Sequence, residues 1–365
     1  MRSMGRRGTT ALLFPVIRRY LRLMSCCDPN TVAWDGITMR RRTVLKGAAA
    51  LAGILGANPA RAAGKPVKLA FCSQLLCIIP YVVAAHDGHF QKEGLDVELV
   101  YMRGGSAAMQ ALVGGAVDYA ATALDVALQA YAHGAAVKRI AATGKLPLFA
   151  LAVAPKAASK INSVKDLEGK TVGISGLGNA DHALTLFLLK QAGADASKVQ
   201  FATIGTNLLE ALRQGQLDAG LVQEPALTLI EEAGGKVLVN AMQTADAQKY
   251  LGGNYEFMGV AVRASEVDQR KDEIKALVKG LQSALAAVQQ VTPEDLVKAL
   301  PPEMTTGADI AQMRDILGKY RASLYPASTA MDRAAEDRVA QSLTIAGLMP
   351  AGTDTSGLYD TAFAG

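Results

Sequence analysis

The sequence predicts an α/β protein of two similar lobes, each a mixed, mostly parallel sheet flanked by helices, with a cleft between them. Three observations carry that reading. Residues 67–100 form a strand–helix–strand unit: an alternating apolar run at 67–71, helical spacing of Val82, Val83, Ala85 and Phe90, and alternation again at 95–100. Parallel strands joined in this way need a right-handed crossover. The pattern Gly105-Ser106, Ala111-Leu112, Gly115 and Val117-Asp118 recurs as Gly205-Thr206, Ala211-Leu212, Gly215 and Leu217-Asp218, offset by 100 residues throughout. Finally, half of the 365 residues are apolar, yet no apolar run reaches the length of a membrane span, so the chain can bury more than one core.

The N-terminus reads separately. Residues 1–38 are Arg-rich, and their apolar patch at 11–17 is cut by Arg18-Arg19. The partial lipoprotein box Leu23-Met24-Ser25-Cys26 therefore lacks an unbroken apolar region, and 1–38 is read as an over-extended start before Met39. From there Arg40-Arg41-Arg42-Thr43-Val44-Leu45-Lys46, an apolar run at 47–57 and Ala60-Arg61-Ala62 stand in the order of a twin-arginine signal peptide, 39–62. Such a signal implies export to the periplasm. Residues 1–63 hold 11 Lys+Arg and 2 Asp+Glu, leaving 27 basic and 31 acidic residues in the body. The formal charge of +5 thus belongs to the leader, and a nucleic-acid partner loses its support.

Residues 64–150 are expected to form the first part of lobe 1, 151–245 lobe 2, and 246–365 the return to lobe 1 with the C-terminal helices. Pro80 is placed in the first turn of a helix running to Phe90, which Lys92-Glu93-Gly94 ends. After Arg103-Gly104-Gly105-Ser106 come a helix (107–113), a glycine turn into a strand (115–121), the loop Ala123-Leu124-Asp125 and a helix (126–132). Strands follow at 140–142 and 148–154, the latter leaving the lobe. A second unit opens at Ser163-Val164-Lys165-Asp166-Leu167-Glu168-Gly169-Lys170-Thr171-Val172-Gly173, with a strand at 171–174 and a helix at 183–191. Between them, Ser175-Gly176-Leu177-Gly178-Asn179-Ala180-Asp181-His182 is neither a dinucleotide fingerprint nor a P-loop. A glycine-rich turn before a helix nonetheless offers backbone N–H groups to an anionic or polar ligand group. Residues 236–239 and 257–262 read as strands around a polar return segment, 240–254. Helices at 272–291, 309–320 and 328–346 follow, with Thr292-Pro293-Glu294 as a cap, and are expected to pack on lobe 1.

The block Ala84-Ala85-His86-Asp87-Gly88-His89-Phe90-Gln91-Lys92-Glu93-Gly94-Leu95-Asp96-Val97 resembles the opening of solute-binding proteins of ABC importers, of the nitrate/sulfonate/taurine type. The segment from Ser163 to Gly173 resembles the entry to their second lobe. The resemblance implies the type II periplasmic-binding-protein fold, capture of a small organic or inorganic anion (sulfonate, nitrate, taurine-like or carboxylate) by closure of the lobes, and delivery to the transmembrane subunits of a permease. It implies a monomer without catalysis or cofactor.

Ligand contacts are expected from loops at strand ends: Ser73, Gln74, Gly105, Ser106, Leu124 and Asp125 in lobe 1, and Gly178, Asn179, Ala180, Asp181, His182, Thr206, Asn207, Gln223 and Glu224 in lobe 2. These loops offer hydroxyls and amides but few cations; Arg103 is the nearest, while Asp125, Asp181 and Glu224 are acidic. Asp181 either caps the helix after it or points into the cleft, and Ser106 and Thr206 are equally suited to capping. The rival class is a thiamine-pyrimidine synthase or precursor-binding protein on the same fold. The cysteine-rich run that reading requires is absent, since Phe71-Cys72-Ser73-Gln74-Leu75-Leu76-Cys77 has two spaced cysteines, whose pairing stays open. His86 and His89 have no third metal ligand in sequence reach, and no metal is expected.

Overall fold

The computed structural model describes residues 65–365. The expected over-extended start, the twin-arginine segment with its cleavage site, and Cys26 all lie outside the described residues.

The first sheet is built from β1 (Val67–Cys72), β2 (Val97–Met102), β3 (Tyr119–Ala123) and β4 (Val137–Ala142), connected by α1 (Leu75–His86), the single turn α2 (His89–Lys92), α3 (Gly105–Val113) and α4 (Leu124–Ala132). The second contains β5 (Ala150–Val153), β6 (Thr171–Ile174), β7 (Gln200–Thr203), β8 (Ala219–Val222) and β9 (Lys236–Asn240), with α5 (Ala180–Gln191), α6 (Leu208–Arg213) and α7 (Ala226–Glu232) on its faces. After α8 (Thr244–Asp246), β10 (Met258–Arg263) re-enters the first sheet. The strand orders are β2-β1-β3-β10-β4 and β7-β6-β8-β5-β9. In each sheet one strand, β10 or β5, runs antiparallel to its neighbours. The two sheets match strand for strand.

The repeat has a structural reason. Asp118 takes the backbone N–H of Lys68 on its carboxylate (2.8 Å) and returns its own N–H to the Lys68 carbonyl; Asp218 does the same with Thr171 (2.9 Å). Each aspartate closes the glycine turn onto the start of the neighbouring parallel strand, β1 or β6, so the residues that specify this junction recur with it.

Pro80 lies well inside α1, which begins at Leu75 and not at the expected first turn. An interior proline removes the N–H that would serve the carbonyl four residues back. That carbonyl, Leu76, accepts instead from the buried Tyr325 hydroxyl at 2.7 Å, which allows the helix to run through the proline. The helix also stops earlier than expected, at Asp87-Gly88, where Gly88 turns left-handed (φ 71°).

The C-terminal part adds α9 (Lys271–Gln290), α10 (Pro293–Lys298), α11 (Pro302–Thr305), α12 (Ile310–Leu324) and α13 (Arg333–Ala346). The apolar stripe of α9, including Ile274, Leu277, Leu281 and Leu285, is buried, and the helix packs on α1 and α2. Thr292 caps α10, accepting from the Asp295 N–H with Pro293 in the first turn, as its sequence suggests. The last helix departs from expectation. It starts at Arg333, capped by Asp332, and packs against both α4 and α5, so it spans the two lobes instead of resting on lobe 1 alone.

Two chain segments join the sheets, and they are bonded to each other. The N–H groups of Thr143 and Gly144 both donate to the Met258 carbonyl (2.8 and 3.0 Å), Phe257 N–H donates to Gly144 and Tyr255 N–H to Lys145. A Cβ on Gly144 would sit 3.0 Å from the Met258 nitrogen, tighter than ordinary contact, so a larger residue would press the two segments apart. Arg139, fully buried, braces the second segment through Glu256 (3.0 Å) and the Phe257 carbonyl (3.0 Å). Removing either partner of such a buried pair costs about 3–5 kcal/mol. Among the described residues no helix is long and apolar enough to cross a membrane.

Candidate functional site

The carboxyl ends of β1, β3, β6 and β8 face a cleft whose floor is the pair of inter-sheet segments. At that floor Phe149, just before β5, meets Phe257, just before β10, edge to face at 5.8 Å. Two adjoining spaces occupy the cleft, of about 440 and 790 Å³, sharing Gln74, Phe149, Ser175, Asp181 and Gln223 in their walls. Gly105, Asn179 and Ala180 line the first and Glu224 the second. The structure thus brings Gln74, Gly105, Asn179, Ala180, Asp181, Gln223 and Glu224 together around one cleft.

The other expected residues stand elsewhere. Ser73 is exposed and faces a separate groove with Tyr101 and Met304. Leu124 is buried at the start of α4, its N–H bonded to the Phe257 carbonyl. Asn207 is exposed, and Thr206 lies in the turn Gly205–Asn207. Asp125 is buried behind the cavity wall; one oxygen accepts from the Val126 N–H, the other has no partner among the described residues. Burial pushes its pKa up to about 7.

Three N–H groups of the glycine-rich turn, those of Ser175, Gly178 and Asn179, are engaged within the protein. Helix α5 begins at Ala180, so Asp181 stands inside its first turn. Its carboxylate reaches back and takes both the N–H and, at 2.9 Å, the hydroxyl of Ser175. The N–H of Gly178 is turned toward His182 Nδ1 (3.3 Å) and that of Asn179 to the Gly176 carbonyl. Asp181 therefore neither caps the end of its helix nor stands free: it is a clasp that fixes the turn, while its side chain still forms part of the cavity wall. Burial raises the Asp181 pKa and lowers that of His182, whose ring packs edge-on against Phe201. Gly178 faces Gln129 of lobe 1 and not the cavity; its need for glycine is the left-handed φ of 75°.

The same turn latches the lobes. Ser106 N–H donates to Asn179 Oδ1 (3.1 Å), Ser106 Oγ donates to the Gly178 carbonyl (3.3 Å), and Gln129 Nε2 joins it there (3.2 Å). Asn179 Nδ2 in turn donates to Ser175 Oγ (3.0 Å), extending one chain of bonds from α3 to the Asp181 carboxylate. Ser106, expected as a ligand contact and equally suited to capping, bridges the lobes.

Several wall residues escaped the sequence reading. Phe149 and Phe257 lie where the sequence places the two crossings between lobes, but that their rings meet there depends on how the segments pair. Met258 and the exposed Arg103 also line the first space, as do Cys72 and Cys77, which are joined as a disulfide at the junction of β1 and α1. Among the described residues no three His, Cys, Asp or Glu side chains gather as metal ligands would.

Comparison with known proteins bears on this arrangement. The family model described as NMT1/THI5-like matches residues 77–294. The riboflavin-binding protein RibY of Chloroflexus aurantiacus is 27% identical over 244 residues, 65% of this chain and 66% of that protein. A putative thiamine biosynthesis protein of Haemophilus influenzae is 29% identical over 138 residues, 38% of this chain and 43% of its own. The chain thus spans just under two thirds and less than half of these curated relatives. A solved protein of Bordetella bronchiseptica RB50 superposes with a TM-score of 0.74 at 25% identity, covering 82% of this chain and 96% of that one. The alkanesulfonate-binding protein SsuA of Xanthomonas axonopodis pv. citri, bound to MOPS, gives 0.64 at 17% identity over 82% and 100%. The fold is that of periplasmic binding proteins.

Proposed function

The chain belongs to the NMT1/THI5-like family, and on that premise we propose that it is the extracytoplasmic solute-binding component of an ABC importer, capturing a small molecule between its lobes and handing it to the permease's transmembrane subunits. The observation that carries the reading is the latch from Ser106 to Asn179 over a cavity walled by both sheets. Two lobes joined by a bonded pair of segments can open and close as rigid bodies, and a ligand that touches both lobes stabilises the closed form. The periplasm is the location this role requires, and the twin-arginine pattern of residues 39–62 supports it. Sulfonate, nitrate, taurine-like and carboxylate anions are the ligands that the sequence resemblance implies. The names of the two curated relatives favour a second class, nitrogen heterocycles of the vitamin type, for which the Phe149–Phe257 floor is a suitable surface.

The test is a set of melting curves across sulfonates, nitrate, carboxylates, amines and pyrimidines, followed by small-angle scattering with any solute that stabilises. Binding by closure raises Tm and reduces the radius of gyration. A stabilising solute that leaves the radius unchanged, or no stabilisation by any class, removes the reading.

A further inference from the structure

The wall of lobe 2 makes a demand on its ligand. Gln223 and Glu224 directly follow β8 at 7% and 3% exposure, and Oε1 of each is buried without a hydrogen-bond partner among the described residues. The other oxygen of Glu224 is held by Thr228, through its N–H (3.0 Å) and its hydroxyl (2.9 Å), which fixes the carboxylate while Oε1 has no bond. Both residues line the larger of the two spaces. Asp181 lines it too, each oxygen already taking one bond from Ser175. Among the described residues this space has no lysine or arginine in its wall; the exposed Arg103 belongs to the first space. Lys319 lies close enough to feel the Glu224 charge but makes no ion pair with it among the described residues. Gln74 and Ser175 are the other polar side chains of the wall, and the remainder is apolar: Phe149, Leu209, Met304 and Met313 among others.

A buried acceptor without a donor costs free energy until one is supplied, and a carboxylate is best satisfied by a charged donor. On the reading that this cleft binds a solute, we propose that the solute is an organic cation with N–H donors, a protonated amine or an amidinium, seated in the larger space. Its donors reach Glu224 Oε1 and Gln223 Oε1, and its apolar body lies against Phe149, Met304 and Met313. An oxyanion here faces two carboxylates and finds no cation in the wall. The chemistry that selects the ligand is therefore opposite in sign to the anion capture that the resemblance implies.

The experiment uses the purified protein with paired probes of similar shape: butylammonium against butanesulfonate, and benzylammonium and benzamidinium against benzoate and benzenesulfonate, each at 10 mM. At least one cation raises Tm, no anion does, and Glu224→Gln weakens that cation at least tenfold by calorimetry while the unliganded Tm stays close to that of the parent. Gln223→Leu, which removes the second acceptor by a separate route, also weakens it. Stabilisation by the anions with the cations inert overturns the proposal but leaves solute binding standing, as does closure driven by a pyrimidine alone. A cation whose affinity is unchanged in both variants overturns it equally. If no probe of either sign shifts Tm, the proposal falls, and the wider solute panel with scattering decides separately whether the cleft binds and closes.

Discussion

The hydroxyl of Tyr325 donates to the carbonyl of Leu76 at 2.7 Å, across 249 positions of sequence, and so completes the hydrogen bond that Pro80 denies to its own helix. Tyr325 is the residue that follows α12, and Leu76 lies in the first helix of lobe 1, so the C-terminal region is tied to the element the chain builds first. Burial holds the hydroxyl far above its ordinary pKa, which keeps the proton on the donor.

Tyr325→Phe is expected to lower stability by about 1–3 kcal/mol, the cost of leaving a buried carbonyl unpaired. Pro80→Ala restores a backbone N–H to that carbonyl, so the same tyrosine change should cost measurably less in the Pro80→Ala background. A double-mutant cycle by urea unfolding checks this. Equal costs in both backgrounds would show that the hydroxyl acts elsewhere.

Stability should fall as pH rises from about 5 to 8. Burial pushes the carboxyls of Asp125 and Glu336 each up to about 7, the second with the help of neighbouring Glu256. Below about pH 4 both folded and unfolded chains hold these protons. Between there and about 7 the unfolded chain releases them while the folded chain retains them, so the folded state loses ground; above 7 the difference is constant. At about 1.4 kcal/mol per pKa unit, each group is worth on the order of 3–4 kcal/mol across the window. His182, held neutral by burial, acts in the opposite direction below about pH 6.5, so the diagnostic is the slope in variants. Urea midpoints at pH 5, 6, 7 and 8 should flatten in Asp125→Asn and in Glu336→Gln; an unchanged slope in both would refute the assignment.

What the sequence made legible is what is local and repeated. The glycine turn before Asp118 and before Asp218 could be read because the same short-range bonds to Lys68 and Thr171 are made twice. The strand at Thr171–Ile174 and the cap at Thr292 follow from neighbouring residues alone. The misplaced start of α1 has a distant cause, since nothing near Pro80 announces Tyr325. The same holds for α13, whose amphipathic pattern specifies a buried face but not that α4 and α5 from different lobes cover it. Within the site, the polar residues at strand ends were readable, whereas Phe149 and Phe257 depend on where the chain crosses between sheets. For Asp181 the sequence leaves open whether the carboxylate caps the helix or faces the cleft, and Ser175 six residues earlier claims it while the side chain still lines the cavity.

The disulfide between Cys72 and Cys77 should leave no titratable thiol in the folded chain from residue 65 onward. By loop-closure entropy a ring this short contributes about 2 kcal/mol. Cys72→Ser with Cys77→Ser should therefore lower Tm and, because both residues face the first space, also weaken ligand binding. Ellman titration of the unreduced chain from residue 65 onward, which lacks Cys26 and Cys27, is the direct check, and two reactive thiols would contradict the pairing.

The latch should control closure more than folding. Asn179 accepts from Ser106 across the cleft and donates to Ser175 within its own turn, so Asn179→Ala removes one bond between the lobes and one within lobe 2. A neutral hydrogen bond is worth about 1 kcal/mol net, which predicts roughly fivefold weaker ligand binding from the lost cross-cleft bond. The unliganded protein should become more open, with a larger radius of gyration, while its Tm changes by only the intralobe share. Gly104→Ala reaches the same latch from lobe 1: a Cβ there would press to 3.1 Å from Asn179 Nδ2, tighter than ordinary contact. Gly104 has an extended backbone (φ 171°) that alanine adopts without strain, so this variant tests the contact and not the fold. Both variants should weaken the same ligand, and combining them should cost less than the sum because they act on one side chain. Full additivity, or an affinity unchanged in both with the fold intact, would mean that the lobes close without Asn179.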